Sequence, residues 1–313
     1  MGRSRGLSVF HVLGGGSLGL LWAARLAEAG TDVRLILRDA QALQAWKAAG
    51  SSILFEQASK RSRIALQAQL ADESGEPIDI LILATKAYSA QSALHSVAQR
   101  LQQNASILML QNGMGSQQAA SRTFVQQQVL YASVTDGAWM PAPRHVIWAG
   151  QGQTQIGDPS GADCPQWLKH IDQQTINWQW HTDILAVLWQ KLAVNCAINP
   201  YTALYDCDNG QVPTRAGAQF PRLIDELHSL LERQGANVTR AELGNYIDQV
   251  ITRTAVNSSS MRQDIHARRR TEISYITGYA CEVAHQAGLA TPLLDQLHGA
   301  LKTHLATLGL PPD

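Results

Sequence analysis

Short apolar runs alternate with amphipathic stretches through the first half of the chain, a rhythm that predicts strands separated by helices. Residues 7–13 form the first apolar run; it breaks at Gly14-Gly15-Gly16-Ser17-Leu18-Gly19, and helical periodicity then lasts to about residue 29. Gly30 punctuates, and VRLILR ending at Arg38 reads as a second strand, which completes a βαβ unit. IDILILAT (78–85) is apolar enough to be a strand buried on both faces, 89–101 has helical spacing, and SILMLQ (106–111) repeats the strand pattern. After Asn112-Gly113-Met114-Gly115 and one more helix, the runs VLYASVTDGAW, HVIWAG and TQIGD, separated by Pro and Gly, predict short strands that extend the sheet.

From about residue 182 the pattern becomes helical, over 184–198, 219–235 and most of 245–288, with NWQW as the last strand before the change. The expectation is α/β architecture over 1–181 and an all-α domain over 182–313, which suits a chain of 313 residues. No internal repeat or low-complexity tract interrupts either part.

Composition narrows the partners. Lys plus Arg and Asp plus Glu balance at 25 each, so no broad basic field is present to hold a nucleic-acid backbone. No apolar run approaches the roughly 20 residues of a membrane span. The opening MGRSRG leads directly into a strand-like run with no room for a secretory leader, so a soluble cytoplasmic protein, monomer or homodimer, is expected. Cys164, Cys196, Cys207 and Cys281 are scattered without a CxxC pair, which fits neither a disulfide framework nor a zinc site and predicts reduced thiols.

The chemistry begins at the glycines. Gly14-x-Gly16-x-x-Gly19 follows a strand, opens a helix and starts a βαβ unit, the context that a dinucleotide fingerprint requires. The first glycine permits the tight turn, the second lets backbone approach a pyrophosphate, the third allows close helix packing, and the helix N-terminus faces the anion. The first domain is therefore expected to be a Rossmann-type parallel sheet with added strands. Arg38 stands at the end of the second strand, where an acid would read ribose hydroxyls; a guanidinium there favours a 2′-phosphate, hence NADP(H), with Asp39 the competing neighbour. Gly15-x-Ser17-x-Gly19 also matches a hydrolase nucleophile elbow in form, but that elbow comes after several strands, and here only sixteen residues precede the serine.

In the helical part, WQKLAVNCAINP places Lys191, Asn195 and Asn199 at intervals of four. Four residues turn about 400° and rise about 6 Å, so one cation and two amides share a face while Leu188, Leu192 and Ile198 turn to the core. Such a row suits a small polar ligand. Asn199 precedes Pro200, which biases it away from the α region and predicts an end or kink of the helix there.

Together the fingerprint with Arg38, TKAY with Lys86, QNGMG with Asn112, WQKLAVNCAINPYTAL and SSMRQDIHARRRTEISYITGY closely resemble the ketopantoate reductase family, from about residue 9 to about residue 288. The resemblance implies NADPH-dependent reduction of 2-dehydropantoate to pantoate, on the route to pantothenate and coenzyme A, in a cleft between two domains. It implies that Lys191 is the catalytic lysine, that Asn195, Asn199, Asn209 and Ser260 bind substrate, and that Glu272 lies beside cofactor and lysine. It further implies that Lys86 and the backbone of Ala138 contact the cofactor, and that Asn112 lies between cofactor and substrate. An ammonium with a reference pKa of about 10.4 is charged at neutral pH and can polarise a carbonyl and protonate an alkoxide, which agrees with that role.

Structural roles compete at several of these positions. Asn209, in CDNG, suits a turn; Ser260-x-x-Gln263 resembles a capping box; and Glu272 has Arg268 and Arg269 nearby for an ion pair. Twelve residues of straight helix would put Ser260 and Glu272 about 120° apart, so they are not expected to share a face. DCDNG carries Asp206 where the family pattern has an uncharged residue, and VTDGAW departs from the pattern around Ala138. The alternatives are a paralogous reductase of another 2-keto or β-keto acid, and a non-catalytic NADP(H) sensor, for which an acid aimed at a carbonyl would have no use.

Overall fold

A computed structural model describes residues 9–58, 60–72 and 76–313. MGRSRG and the first two residues of the opening apolar run, Leu7 and Ser8, lie outside the described residues. Packing divides the chain into two units: one runs to Gln111 and resumes over Ser116–Ile184, and the other comprises Asn112–Gly115 and Leu185–Asp313. The four-residue segment NGMG (Asn112–Gly115) thus belongs to the helical unit, which the sequence boundary at 181/182 does not anticipate.

The first unit is built from β1 (Phe10–Leu13), α1 (Ser17–Glu28), β2 (Val33–Leu37), α2 (Ala40–Ala48), β3 (Ser52–Gln57), β4 (Lys60–Ala65), β5 (Gln67–Leu70), β6 (Ile78–Leu83) and α3 (Ala90–Val97). It continues with β7 (Leu101–Met109), α4 (Ser116–Thr123), β8 (Gln128–Val134), β9 (Gly137–Ala142), β10 (His145–Gly150), β11 (Thr154–Gly157), α5 (Gln166–Lys169) and β12 (Trp178–Trp180). The main sheet has the order β12-β11-β8-β7-β6-β1-β2-β5, parallel from β8 to β5, with β11 antiparallel to β8. Successive strands run outward from β1 on both sides, so the carboxyl ends of β1 and β6 flank the switch point where open α/β sheets bind ligands.

Two sequence expectations change here. The helix expected over 89–101 is confined to Ala90–Val97, because Leu101 already begins β7 beside Ile78. Nor do all the short strands after residue 128 join the main sheet. β8, β11 and β12 do, whereas β9 and β10 form a second sheet with β3 and β4, in the order β4-β3-β10-β9. Strand periodicity states which residues face inward but not which neighbour supplies the hydrogen bonds. Strands of the second sheet pack on α1, which explains why that helix buries Leu20, Leu21, Trp22, Ala23, Ala24, Arg25 and Leu26 on consecutive positions. The buried Arg25 guanidinium lies 3.9 Å from the Trp148 ring centroid and 3.6 Å from Asp136, which also accepts from Trp148 Nε1 at 2.9 Å.

The helical unit comprises α6 (Ile184–Leu204), α7 (Val212–Ala216), α8 (Gln219–Arg233), α9 (Arg240–Arg253), α10 (Ser260–His266), α11 (Thr277–Gln286) and α12 (Pro292–Thr307). Leu188, Leu192 and Ile198 are buried as the stripe requires. α6 does not end at Asn199. It runs through Pro200 to Leu204, because the ring deletes only one backbone donor while Pro200 and its neighbours Tyr201, Thr202 and Ala203 are all buried. The end comes instead at Asp206, left-handed at φ 46°, with Cys207 N–H donating back to Thr202 O at 3.2 Å in a Schellman closure that uses no glycine. All four cysteines are free thiols.

Candidate active site

In the first unit the three fingerprint glycines meet three different demands. Gly14 has φ +123°, and a Cβ there would stand 2.9 Å from the backbone of Ala84 and Thr85 at the end of β6. A Cβ on Gly19 would lie 2.1 Å from Gly14 O, so the turn closes only on a bare helix position. Gly16 is the opposite case: nothing lies within 4 Å of its Cβ position, and as N-cap of α1 it supplies no side-chain cap. With Gly15 beside it and Ser17 and Leu18 in the first turn, this leaves uncapped N–H groups facing open space, an arrangement that fits a dinucleotide pyrophosphate.

Arg38 follows β2 with its side chain 91% exposed, and among the described residues it bonds only Asp39, at 2.8 Å. Asp39 is engaged as N-cap of α2, accepting from Ala42 N–H at 2.8 Å, and that bond, with Arg38 second, holds its carboxyl below the ordinary range. The competing acid therefore serves the helix, and the guanidinium stays available to a phosphate. Lys86 follows β6, half-buried at the head of a 3₁₀ turn over Ala87–Ser89. Ala138 stands in β9 of the second sheet, opposite Trp148 and packed on the core.

In the helical unit, the geometry centres on Lys191. Its Nζ donates to Asn112 Oδ1 at 3.0 Å, across 79 positions of sequence. Loss of solvation lowers its pKa from 10.5 to about 8, opposed by the negative charge of Glu272, itself 5% exposed. Asn112 is fixed by the loop that follows it. Gly113 has φ +76°, a Cβ there would meet Tyr275 O at 2.2 Å, and Met114 N–H donates to Tyr275 O at 2.8 Å. Tyr275 belongs to the 3₁₀ turn Ile273–Tyr275 capped by Glu272, so one turn carries the carboxylate and anchors the amide that act on the lysine.

Glu272 is not on an α-helix; it lies in a break within the mostly helical span 245–288. α10 stops at His266, and Arg268 at φ 54° turns the chain out. Arg269 pairs with Asp264 at 3.1 Å instead. Asn195 and Asn199 lie on the Lys191 face of α6, and neither side-chain amide has a hydrogen-bond partner among the described residues.

Asn209 combines both readings of it. It opens a 3₁₀ turn, Asn209–Gln211, and its Nδ2 donates to Thr254 Oγ1 at 2.9 Å. Thr254 spends its own proton on Val250 O at 2.7 Å, so its oxygen must accept, which leaves Asn209 Oδ1 buried without a partner among the described residues. Ser260 is the first residue of α10 but not its cap. Ser259 caps, accepting from Arg262 N–H at 3.1 Å and sharing a 2.7 Å hydroxyl contact with Thr202, while Ser260 is exposed. Sequence inspection missed Thr254, Tyr275 and Arg262, whose partners are far away in the chain.

Family models described as ketopantoate reductase PanE/ApbA and ketopantoate reductase PanE/ApbA C terminal match residues 10–161 and 183–305. A 2-dehydropantoate 2-reductase of Vibrio cholerae serotype O1 is 34% identical over 295 residues, 93% of this chain and 96% of that one. The chain belongs to the ketopantoate reductase family. The solved structure of a probable 2-dehydropantoate 2-reductase from Bacillus subtilis superposes with TM-score 0.81 at 26% identity, covering 95% of this chain and 99% of that one. A D-mandelate dehydrogenase solved with NADH and anilino(oxo)acetate shares the fold at TM-score 0.85 and 20% identity, over 96% and 100% of the two chains. Family membership makes the chain an oxidoreductase, and among the described residues no helix is long and apolar enough to cross a membrane.

Proposed function

We propose that the protein reduces 2-dehydropantoate to pantoate with NADPH, in the cytoplasm, on the route to pantothenate and coenzyme A. The observation that carries the reading is a desolvated lysine bonded to an amide oxygen, with the charge of a buried carboxylate acting on its pKa. The open face over Gly16, the uncapped start of α1 and the exposed Arg38 would hold the dinucleotide, with Lys86 as a further contact. When bound, the reduced nicotinamide supplies the hydride.

The remaining work falls to the chain. Lys191 Nζ, protonated below about pH 8, polarises the ketone oxygen and delivers one proton to it as alkoxide character develops. An alkoxide is far more basic than this ammonium, so the transfer runs downhill; the neutral amine then recovers a proton from water. Asn112 restricts the ammonium to one orientation by accepting one of its three protons. Glu272 offsets part of the desolvation that would otherwise neutralise the amine. Asn195 and Asn199 offer free amides to a carboxylate, and the orphaned Asn209 Oδ1 asks for a donor, which the substrate's hydroxyl provides. Ser260 adds an exposed hydroxyl.

The test is NADPH oxidation by the purified protein with 2-dehydropantoate and a panel of 2-keto and β-keto acids. Fastest turnover with 2-dehydropantoate is expected. Faster turnover of another acid would move the substrate assignment to a paralogous reductase, a reading the shared fold with D-mandelate dehydrogenase keeps in view. NADPH binding without turnover of any of them would leave only the sensor.

A further inference from the structure

Asp206 and Asp208 follow the end of α6, next to Asn209, which is proposed above to bind an anionic substrate. Neither stands alone. Arg262, with its side chain only 17% exposed, donates from Nε to Asp206 at 2.7 Å and from Nη1 to Asp208 at 2.5 Å. His266, one turn further along α10, meets Asp206 at 2.6 Å. The Arg262 bond is the main cause that holds the Asp206 carboxyl below its ordinary range.

The four groups link two segments more than fifty positions apart. Asp206 is the left-handed residue that ends α6, and Asp208 caps the 3₁₀ turn opened by Asn209, through Gln211. Arg262 lies in the first turn of α10, two positions after Ser260. The Ser259–Thr202 hydroxyl contact ties the same helix start to α6 from the buried side. A guanidinium forked over two carboxylates fixes orientation as well as distance, which one ammonium could not do.

We propose that Arg262 is a positioning residue that sets Ser260 of α10 against Asn209 of the α6–α7 connection, and so determines how tightly the keto acid's polar end is gripped. The inference rests on the function proposed above. Among the described residues Arg262 bonds Asp206 and Asp208 and not Lys191, so its signature is weaker binding of one substrate without slower chemistry.

Steady-state kinetics of the full-length chain test it, with Arg262→Met, Ser260→Ala and the double variant. Arg262→Met is expected to raise KM for the keto acid about tenfold, while kcat and KM for NADPH stay within about twofold. Ser260→Ala is expected to raise KM in the wild-type background and to add little once Arg262 is gone, because one change has already misplaced what the other removes. Asp208→Asn, which keeps the shape and loses one charge, should give a smaller rise in the same direction. If Arg262→Met folds poorly, Asp208→Asn paired with Ser260→Ala carries the same cycle. Unchanged KM, or strictly additive effects, would overturn the proposal. Wild-type turnover of a different keto acid moves the substrate assignment and leaves the cycle to be run with that acid; no turnover of any acid overturns both.

Discussion

The glycine turn and the lysine site are built on opposite principles. Around Gly14–Gly19 the working surface is backbone, and what matters is the absence of side chains: one Cβ would strike β6, another would strike the turn itself, and a third would enter the space left for a ligand. All of it lies within six consecutive residues. Around Lys191 the surface is side chains, drawn from residues 112, 191 and 272, and each is held by a partner distant in sequence. A local motif can be read from spacing; a convergent one has to be folded before its electrostatics exist.

The comparison breaks most sharply at the lysine. Lys191→Ala is expected to lower kcat by about 10²–10⁴ while leaving NADPH affinity, read by fluorescence titration, unchanged. In the wild type the rate of reduction should be level below about pH 8 and fall about tenfold per pH unit above it, as the ammonium loses its proton. Persistence of that alkaline limb in the alanine variant would assign it to another group.

Next in size is a pH effect on the first unit's stability. His11, in β1, is fully buried, neither ring nitrogen is bonded among the described residues, and burial lowers its pKa from 6.5 to about 4. Between those values the unfolded chain binds a proton that the folded chain refuses. Stability is therefore complete above about pH 6.5 and declines toward pH 4, by about 3 kcal/mol in all. Urea midpoints at pH 7 and pH 4.5 measure the decline, and His11→Leu should flatten it.

Arg38→Asp is expected to weaken NADPH by about 1.5–3 kcal/mol while changing NADH little, since charge-assisted bonds to the 2′-phosphate are replaced by repulsion. Equal loss for both cofactors would show that Arg38 does not read the phosphate. The smallest change separates the glycines. Gly16→Ala should leave the unfolding midpoint where it is and weaken dinucleotide binding by about 1 kcal/mol, whereas Gly14→Ala should destabilise the fold itself by about 1–3 kcal/mol.

The βαβ start, the glycine turn, the strand-end arginine and the polar stripe on α6 are legible in the chain alone, because each depends on neighbours within a turn or a strand. Helical periodicity separated the second unit from the first for the same reason. That β9 and β10 leave the main sheet for β3 and β4 emerges from folding alone, since pairing partners leave no periodic trace. Folding also decides that α6 survives Pro200, where burial outweighs one lost hydrogen bond, that Ser259 rather than Ser260 caps α10, and that Glu272 heads a 3₁₀ turn from which its charge raises the Lys191 pKa. The lysine's lowered pKa and the clasp around Arg262 are properties of charges brought together from distant positions, and they come into being only when the chain has closed on itself.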